Sequence, residues 1–199
     1  MTLVEIPTPP LFDRRTDSSR AGTTTNALVI GRPIPLHQDL RSGLVDQGVE
    51  VAFRNSDPIG GDTPATLSAP QGEPGSSMPT ETIIVTTEVV PTRNGILSRW
   101  RDRAAKSEEN NRLAAAAVDA SSEYSTCRLL VLCDARAVYR AGLEVHNARR
   151  LAQRLKYEIE VDGTPVVSTS YLVVGTTSSL RVAMEAIARW CRHETAPIP

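Results

Sequence analysis

The sequence predicts an α/β domain of three layers, a doubly wound and mostly parallel sheet with helices on both faces. Three observations predict it. Short runs rich in Val, Ile and Leu (27–30, 49–53, 81–90, 127–133 and either 157–161 or 165–174) alternate with longer stretches of helical period (36–45, 96–120, 143–158 and 176–193), which is the order of a repeated strand–helix unit. Several runs are continuously apolar instead of alternating with polar residues, as in strands covered on both faces. The first unit, strand to helix to strand, takes about 30 residues, the length of one right-handed crossover. At 199 residues the chain suits one domain with a substantial core, and with only 4% aromatics that core rests on Val, Leu, Ile and Ala.

Residues 1–24 are rich in Pro, Thr, Ser and Arg and read as an irregular arm, docked if at all through Leu3, Val4, Ile6, Leu11 and Phe12. The single domain spans residues 25–195. Ala27-Leu28-Val29-Ile30 is its first buried strand and ends at Gly31. Leu36, Leu40, Leu44 and Val45 recur at three- and four-residue spacing and give the next helix its apolar stripe. Gly43 costs that helix roughly 1 kcal/mol relative to Ala, and Gly48 ends it before the strand Val49–Phe53. Residues 54–80, dense in Pro, Gly, Ser and Thr, form a flexible loop. The β-branched run 81–90 is the next strand. Residues 96–120 form a long helix with Ile96, Leu97, Trp100, Ala104, Leu113, Ala117 and Val118 on its buried face and a break or bend near Ser107. Residues 127–133 are a strand, and 143–158 a second long helix packed through Val145, Ala148, Leu151, Ala152 and Leu155. Asp162-Gly163 is a hairpin signal joining 158–161 to 164–168 as a small antiparallel addition. The last helix, 176–193, is capped by Ser178 or Ser179 and packs through Leu180, Val182, Ala183, Ile187 and Trp190.

The formal net charge of −1 excludes a polyanion partner such as nucleic acid, and no apolar run reaches the length of a membrane span. The N-terminus lacks the basic-then-apolar layout of a leader. Cys127, Cys133 and Cys191 are an odd number without metal-type spacing and read as reduced, buried thiols. A cytoplasmic protein is expected. His37, His146 and His193 stand on separate elements with no ligand spacing between them, so no metal is expected. The basic residues Arg149, Arg150, Arg154 and Lys156 read as a solvated helix face, as do Asp39 and Asp46. Cys133-Asp134 is the best-placed polar pair, because open α/β sheets put their sites at the carboxyl ends of the strands. A dinucleotide site needs several glycines in the first turn, whose N–H groups cradle the diphosphate at the helix N-terminus. Here the turn is Gly31-Arg32-Pro33-Ile34-Pro35-Leu36-His37. It keeps one glycine and one cation, Gly31 and Arg32, as cofactor-binding candidates, and its two prolines lack N–H donors.

The layout of residues 26–193 resembles the short-chain dehydrogenase/reductase family. NALVIG and GVEVAFRNSD are similar to the family's opening strand and second strand. TIIVTTEVV stands where the strand ending in an NNAG-like motif belongs, and NNRLAAAAVDA is similar to the interface helix with the family's structural Asn, here Asn110 or Asn111. CRLLVLCDA is similar to the strand leading to the catalytic Ser, and VHNARRLAQRL to the helix after the YxxxK motif. The departures bear on chemistry. The glycine-rich turn reads IGRPIPLH, the NNAG position reads Thr86-Thr87-Glu88-Val89, and the Ser position falls near Asp134 or Ala135. Tyr139 is the nearest Tyr, but Leu143 stands where the family has Lys. Alignment on LAQRL instead puts Ala137 and Ala141 at the two sites. A Tyr phenol titrates near 10 and needs an adjacent cation to move a proton near neutral pH. The sheet also reads as truncated at its C-terminal end relative to the family.

The resemblance therefore implies a Rossmann-like fold and a non-catalytic subunit with a structural or regulatory role, needing no cofactor. It would pair with itself or with an active reductase through the helices at 96–120 and 143–158, whose alanine-rich faces permit close approach. One alternative is an atypical NAD(P)H-dependent oxidoreductase using Tyr139 with a non-standard partner, Asp134 and Asn111 being the other catalytic candidates. Another is a small-molecule binding or sensing protein.

Overall fold

The computed structural model describes residues 4–6, 25–56, 81–89, 96–137 and 142–192. The elements in chain order are β1 (Val4–Ile6), β2 (Thr25–Gly31), α1 (Pro35–Val45), β3 (Val49–Asn55), β4 (Glu81–Glu88), α2 (Ile96–Ser121), β5 (Cys127–Asp134), α3 (Gly142–Val161), β6 (Val166–Val174) and α4 (Thr177–Cys191). They build one sheet in the order β1-β6-β5-β4-β2-β3. β3, β2, β4, β5 and β6 are parallel, and β1 is antiparallel along the β6 edge, with Val4 opposite Tyr171 and Ile6 opposite Thr169. The expected three-layer, doubly wound, Rossmann-like α/β fold is what the chain adopts.

Each strand presents alternate residues to opposite faces, and both faces are covered. Leu28, Ile30, Ile83, Val85, Leu129 and Val131 pack with Leu113, Ala117, Ala148, Ala152, Leu155 and Ile159 of α2 and α3. Ala27, Val29, Ile84, Leu130, Leu132 and Leu172 pack with Leu36, Leu40 and Leu44 of α1 and with Ala183, Met184 and Ile187 of α4. Burial on both sides explains the unbroken apolar run 129–133 within β5, every residue of the strand being buried. Gly43 is placed for packing: a Cβ there would stand 2.8 Å from Met184 Cγ, so the missing side chain lets α4 close on α1.

Several expectations are corrected. Residues 158–161 are not a hairpin strand but the last turn of α3. Ile159 continues the stripe of Ala152 and Leu155, and Arg154–Glu158 and Lys156–Glu160 pair one turn apart. Gly163, at φ +105°, then takes the left-handed position that stops the helix, and the Thr164 amide donates back to the Ile159 carbonyl at 3.2 Å. α2 is unbroken at Ser107, its charged middle carrying the Lys106–Glu109 and Arg112–Glu108 pairs. Ala104 is exposed. Val45 and Val182, assigned to buried stripes, are 54% and 48% exposed. The arm is not irregular throughout, because Val4–Ile6 is strand β1. The assigned loop lies beyond the described residues from 57 to 80, as do Leu3, Leu11, Phe12, Tyr139 and Ala141. The side chains of Ile96, Leu97, Trp100, Leu143, Ser178 and Ser179 are also outside the description. Among the described residues, no helix is long and apolar enough to cross a membrane.

Candidate functional site

The sheet reverses its winding between β2 and β4. From β2 the chain crosses to β3 on one side and then returns to β4 on the other. The carboxyl ends of these two strands, with the N-terminus of α1 above them, are where a sheet of this kind holds its ligand. α1 starts there with Pro35 at its first position, and Ile34 provides no side-chain cap.

Thr86 of β4 fills the junction. Its hydroxyl donates to the Ile30 carbonyl at 3.2 Å, which leaves it to accept from His37 Nε2 at 2.7 Å. That arrangement takes the Nε2–H tautomer of a neutral His37 ring. It also leans on Phe53 of β3, with ring centroids 5.2 Å apart. Burial lowers the His37 pKa from its ordinary 6.5, because the charged imidazolium loses water. Gly31 has no positive φ. It is glycine because a Cβ would fall 2.0 Å from Thr86 Oγ1 and 3.0 Å from the Thr86 carbonyl oxygen.

A second group bridges the same helix to β5. Arg136 grips Asp134 with Nε at 2.9 Å from Oδ1 and Nη2 at 2.7 Å from Oδ2, and its amide donates to Asp134 Oδ1 at 3.1 Å. Its Nη1 reaches Asp39 of α1 at 3.0 Å. These bonds raise the Arg136 pKa further above its ordinary value, with the Asp134 hydrogen bond the largest cause. On the other face, Lys106 of α2 donates to Thr87 Oγ1 at 2.6 Å and to the Glu88 carbonyl at 3.2 Å, with Glu109 at 3.6 Å. Between these groups lies a small cavity of about 60 Å³ lined by Arg32, Ile34, Thr86, Thr87, Glu88 and Glu109.

The candidates named from sequence fare differently. Gly31 and Arg32 both lie at the junction. Asp134 is committed to Arg136 through both oxygens. Asn111 is exposed on α2, whereas the neighbouring Asn110 has a buried Oδ1 that accepts no hydrogen bond among the described residues. The Cys133 thiol is buried and pushed up to about 12, chiefly by desolvation, so it is no nucleophile near neutral pH. Sequence reading missed Arg136 and Lys106 and gave His37 no role. The Asp134-x-Arg136 spacing at a strand end was a local signal. The long-range pairs to Thr86, Thr87 and Asp39 left none.

Among the described residues, the first turn does not form the phosphate cradle of a dinucleotide site: Pro33 and Pro35 stand where donors are needed, and Thr86 closes against Gly31. Among the described residues no cluster of three or more His, Cys, Asp or Glu is arranged to hold a metal ion. No protein-family model matches the chain, and no curated protein matches its sequence.

Proposed function

We propose that this chain is a non-catalytic, short-chain dehydrogenase/reductase-like subunit that works through its helical surface, pairing with itself or with an active reductase through α2 and α3. The observation that carries this reading is the reach of α2. Lys106 of α2 donates to Thr87 and Glu88 at the end of β4, and the ten residues 96–105 before it are about 15 Å of helix at 1.5 Å per residue. Residues 101–105 are exposed throughout, Ala104 and Ala105 included. An exposed helix segment with small residues suits close packing against a second helix. The poor fit of the crevice to a dinucleotide supports the same reading from the opposite side.

Light scattering across a wide concentration range tests it, alone and with a motif-complete reductase co-expressed. The expected result is an assembly of two or more chains that Ala104→Glu with Ala105→Glu dissociates without changing thermal stability. A single-chain mass under both conditions refutes it.

The cavity at Arg32 favours a second reading, a protein that binds or senses a small polar molecule of a few heavy atoms. Hydride transfer through Tyr139 with NADH or NADPH is the third. Calorimetric titration with each coenzyme separates it from the other two, because it alone requires binding.

A further inference from the structure

The described part of the molecule holds three features that the docking proposal leaves unused: the cavity at Arg32, the short antiparallel strand on the β6 edge, and the side-chain bridges across the strand-order reversal. The last carries furthest. We infer that His37 and the Asp39–Arg136–Asp134 bridge brace the crevice from within, holding the start of α1 to the ends of β4 and β5 where a nucleotide-binding sheet would place a diphosphate. This rests on the reading of the crevice as non-catalytic, and is independent of any partner.

The start of α1 needs such a brace. It has no side-chain cap and no acidic residue in its first turn. A diphosphate would satisfy the exposed N–H groups and the positive helix end. Here the first two turns are instead tied sideways. His37 spans from α1 to Thr86 of β4 at 2.7 Å and rests on Phe53 of β3. Asp39, half a turn on, reaches Arg136 at 3.0 Å and through it Asp134 of β5. One short stretch of helix is thus joined to strands on both sides of the reversal. The bridge has two carboxylates and one guanidinium, so its net charge is negative and repels an entering diphosphate. The imidazole and the Thr86 side chain take the adjoining space.

Hydrogen exchange read amide by amide on the full chain tests this, because the brace acts on α1 in particular. His37→Leu keeps the volume and loses the donor. Arg136→Met keeps the stem and loses the fork. Each is expected to speed exchange in the Pro35–Val45 helix by about tenfold or more, relative to β5 and β6, as a local opening. His37→Gln offers Thr86 an amide N–H and is expected to hold α1 within a few-fold of the wild type, which covers the case of a Leu variant that does not fold. Wild-type chain titrated with NADH and NADPH is expected to bind neither. Coenzyme binding by the wild type overturns the inference, as do unchanged exchange in α1 for both volume-preserving variants, an acceleration spread evenly over the sheet, or a His37→Gln variant as open as His37→Leu. A monomer in light scattering with α1 selectively loosened would defeat the docking proposal alone.

Discussion

Replacing Gly31 by Ala tests most directly why the first turn of this domain keeps its one glycine. If the glycine served only a phosphate, Ala would fold normally in the absence of ligand. The structure says otherwise. The new Cβ would lie 2.0 Å from Thr86 Oγ1, 3.0 Å from the Thr86 carbonyl oxygen and 3.3 Å from Thr86 Cβ. The backbones cannot separate freely, because β2 and β4 are paired in register, Ile30 opposite Val85. The hydroxyl must therefore rotate away. That abandons its bonds to the Ile30 carbonyl and His37, each worth about 1 kcal/mol, and adds an overpacking cost of about 1–3 kcal/mol. Gly31→Ala is expected to destabilise by about 3–5 kcal/mol. Thr86→Ala alone leaves the His37 N–H without its acceptor and costs about 1–3 kcal/mol. In the double variant the 2.0 Å contact disappears and only the 3.0 and 3.3 Å contacts remain. The two losses should then fall short of additivity by about 1–2 kcal/mol. Urea unfolding followed by circular dichroism measures all four proteins. Additivity within about 0.5 kcal/mol, or a Gly31→Ala protein as stable as the parent, refutes the account.

Three further outcomes follow from other groups and from His37 itself. Arg128, 8% exposed, donates to the Trp190 carbonyl at the end of α4 and lies 4.3 Å from the Trp190 ring centroid. Arg128→Leu should cost about 2–4 kcal/mol in denaturant unfolding, from a charge-assisted bond and a cation–π contact. His37, with a lowered folded-state pKa, gives a pH dependence of definite sign. Below its ordinary 6.5 the unfolded chain takes a proton that the folded chain refuses, so stability falls as pH drops from about 7 towards the folded pKa and is flat above. Tm between pH 5 and 8 should show this slope in the parent and lose it in His37→Gln. Cys127, Cys133 and Cys191, raised by burial to about 11, 12 and 11, should resist a thiol reagent at pH 8 in the native chain, and all three should react together on unfolding.

Much of the fold was legible because burial on both faces leaves strands unmistakably apolar. Leu36, Leu40 and Leu44 marked the inner face of α1 correctly, while Val45, one residue and about 100° further round, was wrongly added to it. At residues 157–161 the local β-branched character misled. The stripe through Ala148, Ala152, Leu155 and Ile159 outweighs local propensity there, as packing commonly does. The crevice was half legible. The two prolines announced that a phosphate cradle was missing. What took its place depends on Thr86 meeting Gly31 and His37, and on Arg136 meeting Asp39. Such meetings are made by strand order and leave no pattern in the linear chain. Gly31 was accordingly read as a cofactor-binding candidate, with no sign that Thr86 lies against it.

The three-residue strand along β6 has a bearing on how the chain assembles. Val4 can find Tyr171 only after every other strand has been synthesised, since β6 is the last strand in chain order. The loop closed by that pairing spans most of the polypeptide, which gives it a larger closure cost than the other strand pairings described. Until then the outer hydrogen-bonding groups of β6 stand open to any extended chain nearby. Nascent or refolding material is thus most prone to intermolecular strand pairing at this border, and dilution during refolding should raise the yield of monodisperse protein.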